Sequence, residues 1–78
     1  MKLYNETRTE LKDAKSIFTA ETVLIYFSAD ENDDNFIEIE VSEDGIEVLD
    51  SDCTDAQMEV AFTYAERAVK SINDYNNF

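Results

Sequence analysis

An uninterrupted alternation of apolar and acidic side chains over residues 36–41 is the feature that most constrains the fold. A period of two is typical of a β-strand that has one face on a hydrophobic core. The three apolar side chains after Phe36 are therefore expected to face inward, whereas Glu38 and Glu40 face outward. The pattern predicts a strand that is buried on one side.

Two further strands are expected on either side of this one. Residues 22–28 form an apolar run rich in β-branched and aromatic side chains, which is typical of a strand. Residues 46–49 follow Gly45, the only glycine of the chain. We expect Gly45 to have a positive φ angle at a hairpin corner, because glycine adopts that conformation without steric cost. Together the three strands predict an antiparallel meander.

A long helix is predicted over residues 55–73. Thr54 and Gln57 fit a capping box at its start, and Cys53 and Met58 are placed as a hydrophobic staple. Apolar side chains then recur at intervals of three and four residues, the spacing of one helical face. These positions are Met58, Ala61, Phe62, Ala65, Val69 and Ile72.

A shorter helix is predicted over residues 5–18. Thr7 and Glu10 fit a second capping box, with Asn5 as the alternative cap. The segment carries half of the six basic residues, and we expect these to pair with acids along the helix. The basic residues concerned are Arg8, Lys12 and Lys15.

The predicted fold is therefore α+β, a single domain over residues 1–78 with the element order α-β-β-β-α. A three-stranded antiparallel meander is packed by helices, with Ile39 and Phe62 in contact between the middle strand and the last helix. The opposite sheet face carries Leu24, Tyr26 and outward glutamates. The side chains expected to face the last helix are Val23, Ile25, Phe27, Ile37, Ile39, Val41, Ile46 and Val48.

The net charge of the chain excludes some classes of binding partner. The net charge is −13, and no Lys or Arg occurs over residues 16–66. Such a chain is not expected to bind nucleic acid or an anionic membrane directly, and a basic protein surface is its natural complement. The sequence has no long apolar run and no signal peptide pattern, so we expect a cytoplasmic protein.

The residue types give little support for catalysis or for a bound cofactor. The chain has no histidine, and Cys53 lies among acids that disfavour its thiolate. Asp30 and Asp34 match the start of an EF-hand calcium loop, but Asn35 and Val41 stand where glycine and the bidentate glutamate are required. We therefore predict no enzyme activity, no metal site and no cofactor.

The carboxylates themselves are the remaining candidate for function. Thirteen of them lie within residues 30–59, where the strands and the start of the last helix are predicted. Surfaces that serve solubility alone usually mix both signs of charge. We therefore predict a partner-binding face, with Tyr26 as an aromatic anchor beside the acids. The predicted site residues are Tyr26, Asp33, Asp34, Glu38, Glu40, Glu43, Asp44 and Glu47.

In size, charge, element order and acidic run, the chain resembles the small acidic bacteriophage proteins that mimic nucleic acid. Among these it is most similar to anti-CRISPR proteins. The resemblance implies a stoichiometric inhibitor in the host bacterial cytoplasm. Such an inhibitor occludes the basic DNA- or RNA-binding cleft of a host defence protein, foremost a CRISPR–Cas effector.

A second hypothesis requires no mimicry of nucleic acid. A thin core and unpaired sheet edges also fit a small acidic homodimer or a regulatory protein-interaction domain. The two hypotheses differ in oligomeric state, because a tight dimer that buries the acidic sheet face favours the second and a monomer favours the first.

Overall fold

The computed structural model describes residues 2–12, 22–42 and 44–76, with side chains up to residue 70. Strands β1 (Thr22–Tyr26), β2 (Phe36–Ser42) and β3 (Gly45–Asp52) precede helix α1 (Asp55–Asn76). The strands form one antiparallel sheet in the order β1-β2-β3. The α+β class and the three-stranded meander are thus confirmed. No helix among the described residues is long and apolar enough to cross a membrane.

The core lies between one face of the sheet and α1. Ile25, Ile37 and Ile39 are fully buried, and β1 pairs with β2 so that Ile25 faces Ile37 and Val23 faces Ile39. Because directly paired residues point to the same side of a sheet, both strands present one apolar face to the helix. The inward direction predicted for these strands is confirmed.

Strand β3 departs from the prediction in two respects. It continues to Asp52, and its register shifts opposite Glu38 and Ile39, which leaves Leu49 as an extra residue. Val48, expected in the core, is 39% exposed. It pairs with the buried Ile39, but it lies on the edge strand, where no further strand of the described residues covers it.

Helix α1 begins as the capping pattern predicts. The Gln57 amide N–H donates to Thr54 Oγ1 at 3.2 Å, and Gln57 Oε1 accepts from the Thr54 N–H at 2.9 Å. The same Oε1 also accepts from Asn35 Nδ2 at 2.9 Å, which ties the cap to the β1–β2 loop. The capping box therefore fixes the first residue of α1, and the bond from Asn35 fixes the start of α1 relative to the β1–β2 loop.

The buried stripe of α1 is rotated slightly from the predicted one. Phe62, expected at the centre of the helix–sheet contact, is half-buried at the border of the core. Tyr64 and Ala68 are buried instead, although neither was assigned to the core. Three of the four buried positions are alanines, so small side chains make up most of the helix face that contacts the sheet. The buried residues of α1 are Ala61, Tyr64, Ala65 and Ala68.

The helix predicted over residues 5–18 is wrong where the structure describes it. Residues 5–8 form a turn, Tyr4 makes bridges to Glu10 and Tyr26, and the Leu11 N–H donates to the Leu3 carbonyl at 2.8 Å. Asn5, the alternative cap, closes the turn, since its Oδ1 accepts from the N–H groups of residues 7 and 9 at 2.9 Å each. Residues 13–18 of the predicted helix lie outside the described residues.

Candidate acidic interface

The sheet face turned away from α1 gathers carboxylates from β2 and β3. Register places Glu40 opposite Glu47, Glu38 opposite Asp50, and Phe36 opposite Asp52. Four of the five acids are exposed, and Glu38 is half-buried. We call this set the acidic face; its members are Glu38, Glu40, Glu47, Asp50 and Asp52.

Two pairs on the acidic face bring like charges directly opposite each other. Cβ atoms of cross-strand partners lie about 4.5–5.5 Å apart, and like charges in that position destabilise a sheet. Both pairs, Glu40 with Glu47 and Glu38 with Asp50, have this relation. The face therefore holds an electrostatic repulsion that a cationic partner would relieve.

Asp50 and Asp52 are not among the predicted site residues, because the predicted third strand ends at residue 49. Without the bulge at Leu49, strict alternation after Glu47 would turn Leu49 and Ser51 outward and Asp50 inward. The extra residue reverses the alternation, so Asp50 pairs with Glu38 and Ser51 with the buried Ile37. Nothing in the local composition indicates a bulge at this position.

Tyr26 lies at the β1 corner of the same face and is half-buried. The Arg8 guanidinium stands 3.5 Å from the ring centroid. Arg8 also donates to the Ser28 carbonyl and to the Asp33 carbonyl, both at 3.1 Å. The expected pairing of Arg8 with acids on a helix is therefore wrong, because its partners are two carbonyls and a ring. Tyr26 therefore contributes to the fold through Arg8, and its role as an aromatic anchor stays a prediction.

The two acids predicted in the β1–β2 loop lie apart from the hairpin acids. Asp34 is exposed, and Asp33 Oδ1 accepts from the Asn35 N–H at 3.0 Å. The β1–β2 loop precedes β2, and the β2–β3 turn follows β2. The loop and the turn are therefore separated by the seven residues of β2, or roughly 20 Å of strand. The two turns therefore lie at opposite ends of β2, and their membership in one partner-binding site stays a prediction.

Asp44 joins the acidic face at its other end. It is exposed and lines a shallow depression together with Glu40 and Glu47. Gly45, next to it, has φ +130°, which confirms the predicted positive angle. Glu43, also predicted as a site residue, lies outside the described residues.

The described residues include no group of three or more side chains able to hold a metal ion. In the acidic β1–β2 loop, Asp30 Oδ1 accepts from the Asn32 N–H at 2.9 Å, so it caps the turn. Cys53 is a free, half-buried thiol. Burial, followed by the charges of Asp52 and Asp55, raises the pKa of Cys53 above its ordinary value and makes it a poor nucleophile.

Comparison of the chain with protein families, with curated proteins and with solved structures gave no match. The acidic face is therefore the feature from which a function can be inferred.

Proposed function

We propose that the protein is a stoichiometric inhibitor that mimics nucleic acid and blocks the basic cleft of a host defence protein, foremost a CRISPR–Cas effector. The observation that carries this proposal is the pairing of like charges on the acidic face, Glu40 with Glu47 and Glu38 with Asp50. A face that serves only solubility gains nothing from acids placed directly opposite acids.

The spacing of the carboxylates supports the same proposal. Glu38 and Glu40 point outward from β2 two residues apart, a step of about 6.6 Å along the strand. That step is similar to the one between phosphates along a nucleic-acid strand, and β3 adds a second row of acids beside it. An arginine-lined cleft shaped for two phosphate rows would meet carboxylates in a comparable arrangement.

Binding by such a face is steered by long-range charge, so association is fast and falls steeply as salt rises. Inhibition requires no chemistry, because a bound acidic domain excludes DNA or RNA from the cleft. Each inhibitor molecule blocks one target molecule by staying bound to it, whereas an enzyme that inactivates its target would act on many target molecules in turn.

The experiment is capture followed by elution with nucleic acid. Immobilised protein is exposed to bacterial lysate, and bound proteins are eluted either with a short DNA duplex or with NaCl of matched ionic strength. We expect the duplex to release a nucleic-acid-binding protein that NaCl leaves bound. Purified Cas effectors titrated with the inhibitor should then lose target binding at equimolar ratio. Release by both eluents alike would contradict mimicry.

A matched pair of variants locates the effect. Glu40→Lys with Glu47→Lys reverses the centre of the acidic face, whereas Glu59→Lys with Glu66→Lys makes the same charge change at exposed positions of α1. We expect the first pair to abolish inhibition and the second to weaken it only slightly. Equal losses would indicate a diffuse charge effect without a defined face.

A further inference from the structure

Strand β3 leaves one edge of the sheet open. In the order β1-β2-β3 it is an outer strand and, with eight residues, the longest. At the opposite edge, Tyr4 and Tyr26 exchange backbone hydrogen bonds of 2.9 and 2.8 Å, which covers the end of β1. No such backbone cover is found for β3 among the described residues, although the Ser51 N–H donates to Asp50 Oδ1 at 2.9 Å. The other N–H and C=O groups on the outer side of β3 are available for pairing.

The middle of this open edge is apolar. Val48 is 39% and Leu49 46% exposed, and within the described residues they are the exposed large hydrophobic side chains. Glu47 and Asp50 flank them on the acidic face. Charged side chains along an edge strand discourage pairing with another strand, whereas exposed apolar side chains favour it. The β3 edge has apolar side chains at its centre, so charge does not protect its whole length.

A second copy of the chain fits this edge poorly. The antiparallel register that places Val48 beside Leu49 of another copy also places Glu47 opposite Asp50, and symmetry repeats that pair. Two like-charged contacts are then formed between molecules that each carry a net charge of −13. In this register the charge pattern of β3 opposes self-pairing, and the net charge of each copy opposes it in any register, so a strand of the other sign is favoured.

We propose that the open edge of β3 takes up a β-strand from a basic partner protein, in which Lys or Arg alternates with apolar residues. Strand addition would place the basic side chains beside Glu47 and Asp50 and the apolar ones beside Val48. The partner strand must alternate basic and apolar side chains because neighbouring residues of β3 face opposite sides of the sheet. Val48 pairs with the buried Ile39 on the helix side, whereas Glu47 pairs with Glu40 on the acidic face. This inference rests on the proposed function, since it states how the basic partner is held.

The probe is a short, fluorescently labelled peptide in which Lys alternates with Val. A control peptide with the same side chains has N-methylated backbone amides, so it keeps the charge but cannot donate ladder hydrogen bonds. We expect the unmethylated peptide to bind at least about tenfold more tightly, a difference of about 1.4 kcal/mol. Hydrogen exchange should show new protection at the amides of β3.

A protein variant tests the same edge. Lysine at an edge position discourages strand pairing, so Val48→Lys should abolish the preference for the unmethylated peptide. Thr63→Lys, at an exposed position of α1, makes the same charge change and should leave the preference intact.

Equal binding of the two peptides would overturn strand addition, since charge alone would then explain the affinity. A dimer in sedimentation that protects β3 would also overturn it, because a second copy would occupy the edge. The proposed function fails separately, when the DNA duplex does not displace a captured protein although the peptide preference holds.

Discussion

Arg8 stabilises the turn that the structure shows where the sequence predicts a helix. Its φ of 64° is in the left-handed region, a conformation that costs an L-residue about 1–2 kcal/mol. The two carbonyl contacts and the stacking on Tyr26 offset that cost. The guanidinium thus connects the N-terminal turn, the end of β1 and the following loop.

Arg8→Ala should lower the free energy of unfolding by about 1–3 kcal/mol, because it removes two charge-assisted hydrogen bonds and one cation–π contact. Arg8→Lys should recover only part of the loss, since an ammonium group cannot reproduce the planar fork. Urea denaturation measures both. Lys12→Ala, an exposed residue of the same segment, is the control. An equal effect of the two alanine variants would show that the Arg8 contacts contribute nothing specific.

The titration of Cys53 should make the free energy of unfolding depend on pH, and the direction of the pKa shift fixes the direction of that dependence. Burial, Asp52 and Asp55 raise the pKa of the folded thiol above the ordinary 9.0. The folded state therefore favours the protonated thiol, and this contribution to stability is fully present below about pH 9 and is lost as pH rises through the raised pKa. Thiolate absorbance should titrate at higher pH in the folded protein than in urea. A lower folded pKa would contradict the assigned surroundings.

At the scale of elements, packing depends on strand position as well as on pattern. Ile39 and Val48 are directly paired, yet Ile39 is fully buried on the middle strand and Val48 is 39% exposed on the edge. Ile39→Ala should cost about 2–5 kcal/mol, whereas Val48→Ala should cost less than about 1 kcal/mol. Thermal unfolding compares them. Similar costs would mean that β3 is covered in solution.

The elements that could be predicted are those whose signals are local. Alternation over residues 36–41 and the Thr54–Gln57 box are sufficient for β2 and for the start of α1, since each depends on neighbours in sequence. The N-terminal turn could not be predicted, because Thr7 and Glu10 fit a capping box while the Tyr4–Tyr26 bridge that decides the structure is a long-range contact.

The candidate site was predictable only in part, for a similar reason. Alternation identified Glu38, Glu40 and Glu47 as outward residues. The bulge at Leu49, which adds Asp50 and Asp52, is set by how β3 pairs with β2 and has no signal of its own in the sequence. Asp33 is predicted on the same face, yet its loop lies at the other end of β2 from the hairpin turn.

At the scale of the whole molecule, three of the described cations lie on the side of the sheet opposite the acidic face. The acidic face lies away from α1. On the helix side, a groove of about 390 Å³ between the N-terminal segment and α1 is lined in part by Lys2, Lys12 and Arg67. Within this segment Lys2 pairs with Glu10 at 3.6 Å. Within the described part of the chain, Arg8 lies at the β1 corner of the acidic face, stacked on Tyr26, and no ion pair is found for the acids of β2 and β3, so these acids repel one another.

This distribution predicts that salt stabilises the fold. Raising NaCl from about 10 mM to about 150 mM shortens the screening length from roughly 30 to 8 Å, which weakens repulsion among the acids. The urea midpoint should therefore rise with salt. Glu40→Gln with Glu47→Gln should flatten that dependence more than Glu59→Gln with Glu66→Gln, because the first pair is directly opposed across β2 and β3. A midpoint that does not change with salt would mean that the carboxylates of the acidic face are already compensated, and the repulsion on which the proposed function depends would be absent.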